Sequence, residues 1–367
     1  RIVTTPAADF VSLGLRVEKR YWRSTLERWG VRVDRASHGR YKSAYREWSA
    51  DSTPAPDRES IEYQLDASQK IFVSTVAADR RMSEARLEGL LDGRRWPPRD
   101  LQRSGLVDSV GYREEAIALA GTLAGLGKLP KLVNLSKHPE AARAWTVPWR
   151  IAVVYASGDI VTGTSGNDLV YGPTLGSRTL IRQLERAFRA RDAKAVVLRV
   201  ESPGGSSVAS DLVQHRIARL VHETKKPFVV SMGGVAASGG YHIAMNGKPI
   251  VAGRATRTGS IGILFLHPSL EGFYAKQGVR QDVFERGDAM RGLSIGQDWD
   301  AAMQASADSA LMDGYRRFVR QVASARGLDE ARVDSIAQGR GWRGADALRR
   351  GLGDRLGGLE DAIAEAR

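Results

Sequence analysis

Ser238 stands in the run Gly233-Gly234-Val235-Ala236-Ala237-Ser238-Gly239-Gly240-Tyr241, with small residues on both sides of its hydroxyl. Side chains that small let a substrate or a second stretch of backbone come close to the oxygen. A second glycine turn, Ser202-Pro203-Gly204-Gly205, precedes it by about one βα unit. Gly204 and Gly205 can turn their N–H groups toward a shared point, which is the raw material of an oxyanion hole. The plainer reading is that both glycine pairs let helices pack tightly on strands. The run is not the G-x-S-x-G elbow of α/β-hydrolases, because Ala236 occupies the first glycine position.

A serine nucleophile needs a base. Of the six histidines, His242 lies nearest, one helical turn beyond Ser238, where it is poorly placed to take the hydroxyl proton. Cysteine is absent, so disulfides and thiolate metal sites are excluded. Lysine is the other candidate base. Lys42, in Gly39-Arg40-Tyr41-Lys42-Ser43-Ala44, follows a glycine that recurs later in the chain. A solvated surface lysine would fit the same pattern.

That recurrence is an internal repeat. Ile2-Val3, Val11-Ser12-Leu13-Gly14, Gly30-Val31 and Gly39 match Ile250-Val251, Gly259-Ser260-Ile261-Gly262, Gly278-Val279 and Gly287 at an offset of 248. Trp96, Gly105-Leu106 and Asp108 match Trp342, Gly351-Leu352 and Asp354 at an offset of 246. A slip of two residues over so long a span indicates a duplication. Met290 takes the place of Lys42 in the second copy. The second copy begins near Trp149, so the first is expected to be truncated at its front by about a hundred residues. The resulting division is residues 1–113 (back of the first repeat), 114–148 (a helical linker) and 149–367 (the complete second repeat).

The elements of the second repeat follow from periodicity. Arg150 to Ala156, Ala195 to Val200 and Phe228 to Met232 are short apolar, largely β-branched runs, as in strands covered on both faces. Leu180, Ile181, Leu184 and Phe188, then Val208, Leu212, Val213, Ile217 and Leu220, recur at helical spacing. A Gly/Ser/Thr-rich loop is expected up to about Gly176, and helix over residues 298–337. Strands alternating with helices predict βαβ units and a mostly parallel α/β sheet. Both glycine turns fall at carboxyl ends of strands, where such sheets carry their sites.

The chain has 367 residues, 42% hydrophobic and 26% charged, enough for two or three domains with real cores. Its net charge of +13 is mostly scattered arginine interleaved with acids. No basic tract with interleaved aromatics stands out, so a nucleic-acid partner is not expected. The longest apolar run, Ala116 to Gly127, is too short to span a bilayer.

Together, Ser202 to Gly205, Gly233 to Tyr241, Thr258-Gly259-Ser260-Ile261-Gly262 and Tyr41-Lys42-Ser43-Ala44 resemble the signal peptide peptidase A (protease IV) family of serine peptidases, in its long duplicated form. The resemblance implies a fold like the ClpP and crotonase group, built of repeated ββα units. It implies a Ser-Lys endopeptidase that degrades hydrophobic peptides such as cleaved signal peptides, at the outer (periplasmic) side of the bacterial inner membrane. By motif, Ser238 is then the nucleophile, Lys42 the general base and Ser260 the residue that orients the amine. Gly205 and Gly239 are the oxyanion donors, with Gly204 shaping the turn. One site per chain would be assembled from the two repeats. No metal or organic cofactor is called for. A homo-oligomeric ring, a tetramer being one size, and a membrane anchor lying outside this chain are implied by resemblance only. Two other classes stay open: a silent scaffold of the same fold, and a crotonase-like acyl-thioester enzyme, for which Asp211 is the nearest carboxylate.

Overall fold

The computed structural model describes residues 1–6, 8, 14–91, 96–126, 130, 150–168, 172–283 and 294–367. By contacts the chain forms two compact units. One comprises residues 1–16 and 65–147, the other residues 17–64 and 148–367. The division by repeats and the division by contacts therefore differ: residues 17–64, first-repeat in sequence, belong to the compact unit of the second repeat. Of the expected 114–148 linker, the helix Arg113–Leu123 is described, and 127–129 and 131–148 lie outside the described residues, as does Met290.

In the larger unit a seven-stranded sheet forms the frame. Arg150–Ser157, Ala193–Ser202 and Phe228–Ala237 run parallel side by side. The first part of Phe228–Ala237 also pairs in parallel with Ile250–Ala252, and its last part with Arg257–Gly259. Gly341–Arg343 closes that edge in the antiparallel sense. The β-branched runs become strands because both faces are covered. Val196, Leu198 and Val200 face a core shared with the helices Ser177–Arg189 and Ser207–Thr224. Ala195 and Val197 face the other way, with Val229, Val251 and Ala362 of the Leu359–Glu365 helix. Burying side chains of this kind contributes roughly 1.5–3 kcal/mol each.

Three details depart from the periodicity. Residues 158–176 hold three short strands, Asp159–Val161, Gly166–Asp168 and Gly172–Gly176, in a sheet of their own. Backbone polar groups brought against a core need partners: Ile160 is buried and exchanges backbone hydrogen bonds with Gly204 and Ser206. In the Ser207–Thr224 helix, Val213, Ile217 and Leu220 are buried, but Val208 and Leu212 are 61% and 50% exposed. They line a cleft rather than the core. Residues 298–337 split into the helices Ala301–Arg326 and Glu330–Ile336.

The duplication is visible element by element. The smaller unit pairs Val3–Thr4 in parallel with Ser109–Val110, and the larger pairs Val251 and Ala252 with Arg355 and Leu356 in the same register. Asp108 accepts from the Ile2 N–H at 2.6 Å, and Asp354 from the Ile250 N–H at 2.7 Å. Arg80 Nε donates to the Gly105 carbonyl and Arg326 Nε to that of Gly351, and each arginine pairs with the same aspartate of its repeat. The helices Ala55–Arg80 and Ala301–Arg326, each of 26 residues, end on these arginines. The smaller unit has a core of its own around Val73, Ala77, Leu87, Leu101 and Val107.

Candidate active site

Ser238 is the single residue between the Phe228–Ala237 strand and the Gly239–Ala244 helix. The chain must turn sharply there, and Ser238 takes φ 54° and ψ −119°. That is a costly conformation for a residue with a side chain. It is held by the Ser238 N–H donating to the Gly259 carbonyl at 2.8 Å, while Ser238's own carbonyl accepts from the His242 N–H. Ser238 thereby lines a cleft of about 1170 Å³.

Lys42 arrives from the strand Arg32–His38, which pairs antiparallel with Ile263–Ser269 over its whole length. The turn after that strand brings Lys42 inward to 5% exposure. Its Nζ lies 2.8 Å from Ser238 Oγ. The remaining amine contacts are the Ser260 carbonyl at 3.1 Å and Ser260 Oγ at 3.4 Å. Ser260, like Ser238, has positive φ, 50°. Among the described residues no carboxylate pairs with the amine, so burial acts on it unopposed and penalises the ammonium. The cationic Arg35 and Arg257 push the same way, and the pKa falls to about 7. At neutral pH a large share of Lys42 is then uncharged, whereas an ordinary lysine is neutral only about once in a few thousand.

The first glycine turn lies against this pair. A side chain on Gly204 would meet Gly239 N at 2.8 Å and Ser238 Cβ at 2.9 Å, so glycine is required for the approach. Gly204 N–H is spent on Ser202 Oγ at 3.2 Å; this glycine builds the turn and is not a free donor, which sets it apart from the other two oxyanion candidates. Gly239 opens its helix, so its N–H has no intrahelical acceptor. Gly205 pairs with Ile160 through the neighbouring Gly204 carbonyl and Ser206 N–H, which leaves its own N–H out of that ladder.

His242 is buried, stacks on Phe318 and bonds Gln321 Oε1 at 2.8 Å through Nε2. Gln321 in turn donates to Asp211 Oδ1 at 2.7 Å. Neither His242 nor Asp211 has a hydrogen bond to Ser238's hydroxyl; both form part of the cleft wall. Among the described residues no cluster of side chains could hold a metal ion.

Two contributors have no role assigned from the sequence. Arg35 donates to the carbonyls of Lys42 and Ala44 and to Ser37 Oγ. Glu201 accepts from the N–H groups of Gly234 and Val235 at 2.7 and 3.0 Å, which pins the strand end leading to Ser238. Neither carries a local signal, since one more arginine or glutamate in a charged chain looks like solvated surface.

A parallel α/β sheet with a serine and a buried lysine in contact at strand ends is the arrangement defined by this geometry. The family model for peptidase family S49 matches residues 1–127 and 221–367, and the chain belongs to that family. It is 30% identical to Protease 4 of Haemophilus influenzae over 96% of this chain and 58% of that protein. It is likewise 30% identical to the chloroplastic serine protease SPPA of Arabidopsis thaliana, over 99% of this chain and 54% of that one. With Protease 4 of Salmonella typhi the figures are 31%, 100% and 60%. The chain thus spans somewhat more than half the length of these relatives. Among solved structures, a point mutant of ClpP1 from Listeria monocytogenes is similar at 13% identity and a TM-score of 0.36, over 59% of this chain and 96% of that one. Among the described residues no helix is long and apolar enough to cross a membrane.

Proposed function

We propose that this protein is a serine endopeptidase that uses a Ser238–Lys42 dyad on hydrophobic peptides, cleaved signal peptides among them. The observation that carries this reading is the 2.8 Å contact between a buried lysine amine and a serine hydroxyl. Neutral Lys42 takes the Ser238 proton as Oγ attacks the scissile carbonyl, and the resulting lysinium returns a proton to the leaving amine. Gly205 and Gly239 N–H groups receive the oxyanion. Water, deprotonated by the same amine, hydrolyses the acyl-serine. Ser260 orients the amine through its carbonyl and hydroxyl.

An apolar substrate suits the cleft, whose walls carry Val208, Leu212, Leu264 and Phe265. Following the family resemblance, we place the activity at the outer face of the bacterial inner membrane, in a homo-oligomeric ring. The names of the three relatives above, proteases all, support a peptidase over a scaffold. Among the described residues no carboxylate is hydrogen-bonded to Ser238 or Lys42, which argues against crotonase-like chemistry.

A fluorophosphonate probe tests the reading directly. Wild type should be labelled at Ser238, Ser238→Ala should not, and Lys42→Ala should be labelled far more slowly. Equal labelling of wild type and Ser238→Ala overturns it.

A further inference from the structure

Lys42 has a neighbour that the dyad alone does not explain. The turn Gln338-Gly339-Arg340, which precedes the strand Gly341–Arg343, touches both halves of the amine's environment. On one side, the Gln338 carbonyl accepts from the Tyr41 N–H at 2.7 Å. A Cβ on Gly339 would meet Lys42 N at 2.6 Å, Cβ at 2.7 Å and Cα at 2.8 Å. The backbone that carries the lysine therefore rests directly on this glycine. On the other side, the Arg340 carbonyl accepts from the Ser260 N–H at 2.8 Å, and Gly339 N–H donates to the Ile261 carbonyl at 2.7 Å. Ser260 is one of the positive-φ residues, and its carbonyl is the amine's second acceptor.

The turn is itself fixed. Gln338 Nε2 donates to Asp334 at 2.7 Å. The Arg340 guanidinium lies 4.7 Å from the Tyr41 ring centre and 4.8 Å from that of Trp342, and it pairs with Glu59 at 2.9 Å. Cation–π contacts and an ion pair on one guanidinium hold its backbone in a single place.

We propose that the Gln338–Arg340 turn is the positioning element of the dyad, setting Lys42 and Ser260 against each other so that the amine stays dry and aimed at Ser238 Oγ. The inference rests on the function proposed above but concerns placement, not bond making. These residues touch no reacting atom; they act through Lys42 and Ser260. The lowered pKa of Lys42 is consistent with it, since burial is its main cause. An amine displaced toward water would return toward ordinary lysine behaviour.

The test is the titration of Lys42 itself, read by competitive acetylation with mass spectrometry across pH, alongside the pH profile of peptide cleavage. Gly339→Ala should move the Lys42 midpoint up by about one unit and lower kcat at pH 7 about fivefold, because the neutral share of the amine falls from about one half to about one tenth. KM should change little. Gly327→Ala supplies the comparison: it has φ 65° with nothing within 4 Å of a new Cβ, so it should lose stability without moving the titration. Gln338→Ala, which cuts the tie to Asp334 and keeps the backbone contacts, should shift the midpoint in the same direction by less, and it carries the test if Gly339→Ala fails to fold. An unchanged Lys42 titration in the folded variants, or a loss of kcat with the acid limb in place, overturns the proposal. Failure of Ser238 labelling in wild type would instead sink the functional reading, and the acetylation titration would still report on the turn.

Discussion

The Lys42 amine meets the Ser238 hydroxyl across 196 positions of sequence, and each partner is delivered by a turn at the end of a strand. Neither residue relies on a long flexible path. Lys42 follows a fully paired antiparallel ladder, and Ser238 interrupts a strand and a helix with no spare residue between them. Strand-borne placement of this kind holds a donor and acceptor at hydrogen-bond distance before any substrate enters, which lowers the reorganisation needed for reaction.

The pH dependence has a definite sign. In the proposed dyad the base must be uncharged, so acylation of Ser238 should rise with pH through about 7 and then level off. Arg257 is exposed and is one of the cations that disfavour the ammonium. Arg257→Gln should shift the acid limb upward by a few tenths of a unit, more at low ionic strength than at high. A limb that moves downward, or does not respond to salt, would contradict this account.

Stability should follow from the same burial. Lys42 is held below its ordinary value in the folded chain. Between about 7 and 10.5 the unfolded state therefore binds more protons than the native state. Stability contributed at this site rises with pH across that window, by roughly 1.4 kcal/mol per unit, and the penalty is full below it. Lys42→Met should accordingly raise the Tm most at about pH 6 and least near pH 10, as calorimetry at the two pH values would read.

The glycine at the head of the Ser238 helix offers a double-variant test. A Cβ on Gly239 would meet Ser210 Oγ at 2.4 Å and Gly204 Cα and Gly205 N at 3.3 Å. Gly239→Ala should lower kcat by about ten- to a hundredfold through displacement of the oxyanion donors, close to the range for loss of one such donor. Ser210→Ala in the same chain removes the hardest contact and should restore part of kcat. Steady-state kinetics on the two single variants and the double decide it.

Glu201 is expected to matter for folding rather than turnover. It receives two backbone N–H groups at the strand end, and charge-assisted bonds of this kind carry about 1.5–3 kcal/mol each. Both bonds are at least partly solvent-exposed, so Glu201→Ala should lower denaturant stability by only about 2 kcal/mol in total, and Glu201→Gln by less, because an amide oxygen still accepts.

Leu212 separates binding from stability. It is half exposed on the cleft wall. Leu212→Asp should raise KM for an apolar peptide severalfold while leaving the Tm within about a degree, since little burial is lost on the folded chain.

Much of this protein was readable from the chain because the relevant signals are local. Runs such as Ala195 to Val200 announce a doubly covered strand, and 3.6-residue spacing announces Ser177–Arg189. Glycines and tryptophans kept at offsets of 248 and 246 announce the repeat, and Asp108 and Asp354 each accept a backbone N–H and pair with an arginine at matching positions of the two copies. The glycine turns flanking Ser238 pointed to the candidate site for the same reason, since close backbone approach leaves only small residues.

What tertiary structure alone decided is everything that depends on surroundings. Whether Lys42 is solvated or dry is a matter of which atoms enclose it, and those come from Gln338 to Arg340, Ser260, Arg35 and Arg257, scattered over about three hundred positions. Asp159–Val161 becomes a strand within an expected loop because Ile160 satisfies its backbone beside Gly204. Val208 and Leu212 point into a cleft, although their spacing matches that of the buried Val213, Ile217 and Leu220. Periodicity records which side of an element is apolar. It does not record what stands opposite that side, and a lysine's charge is set by the latter.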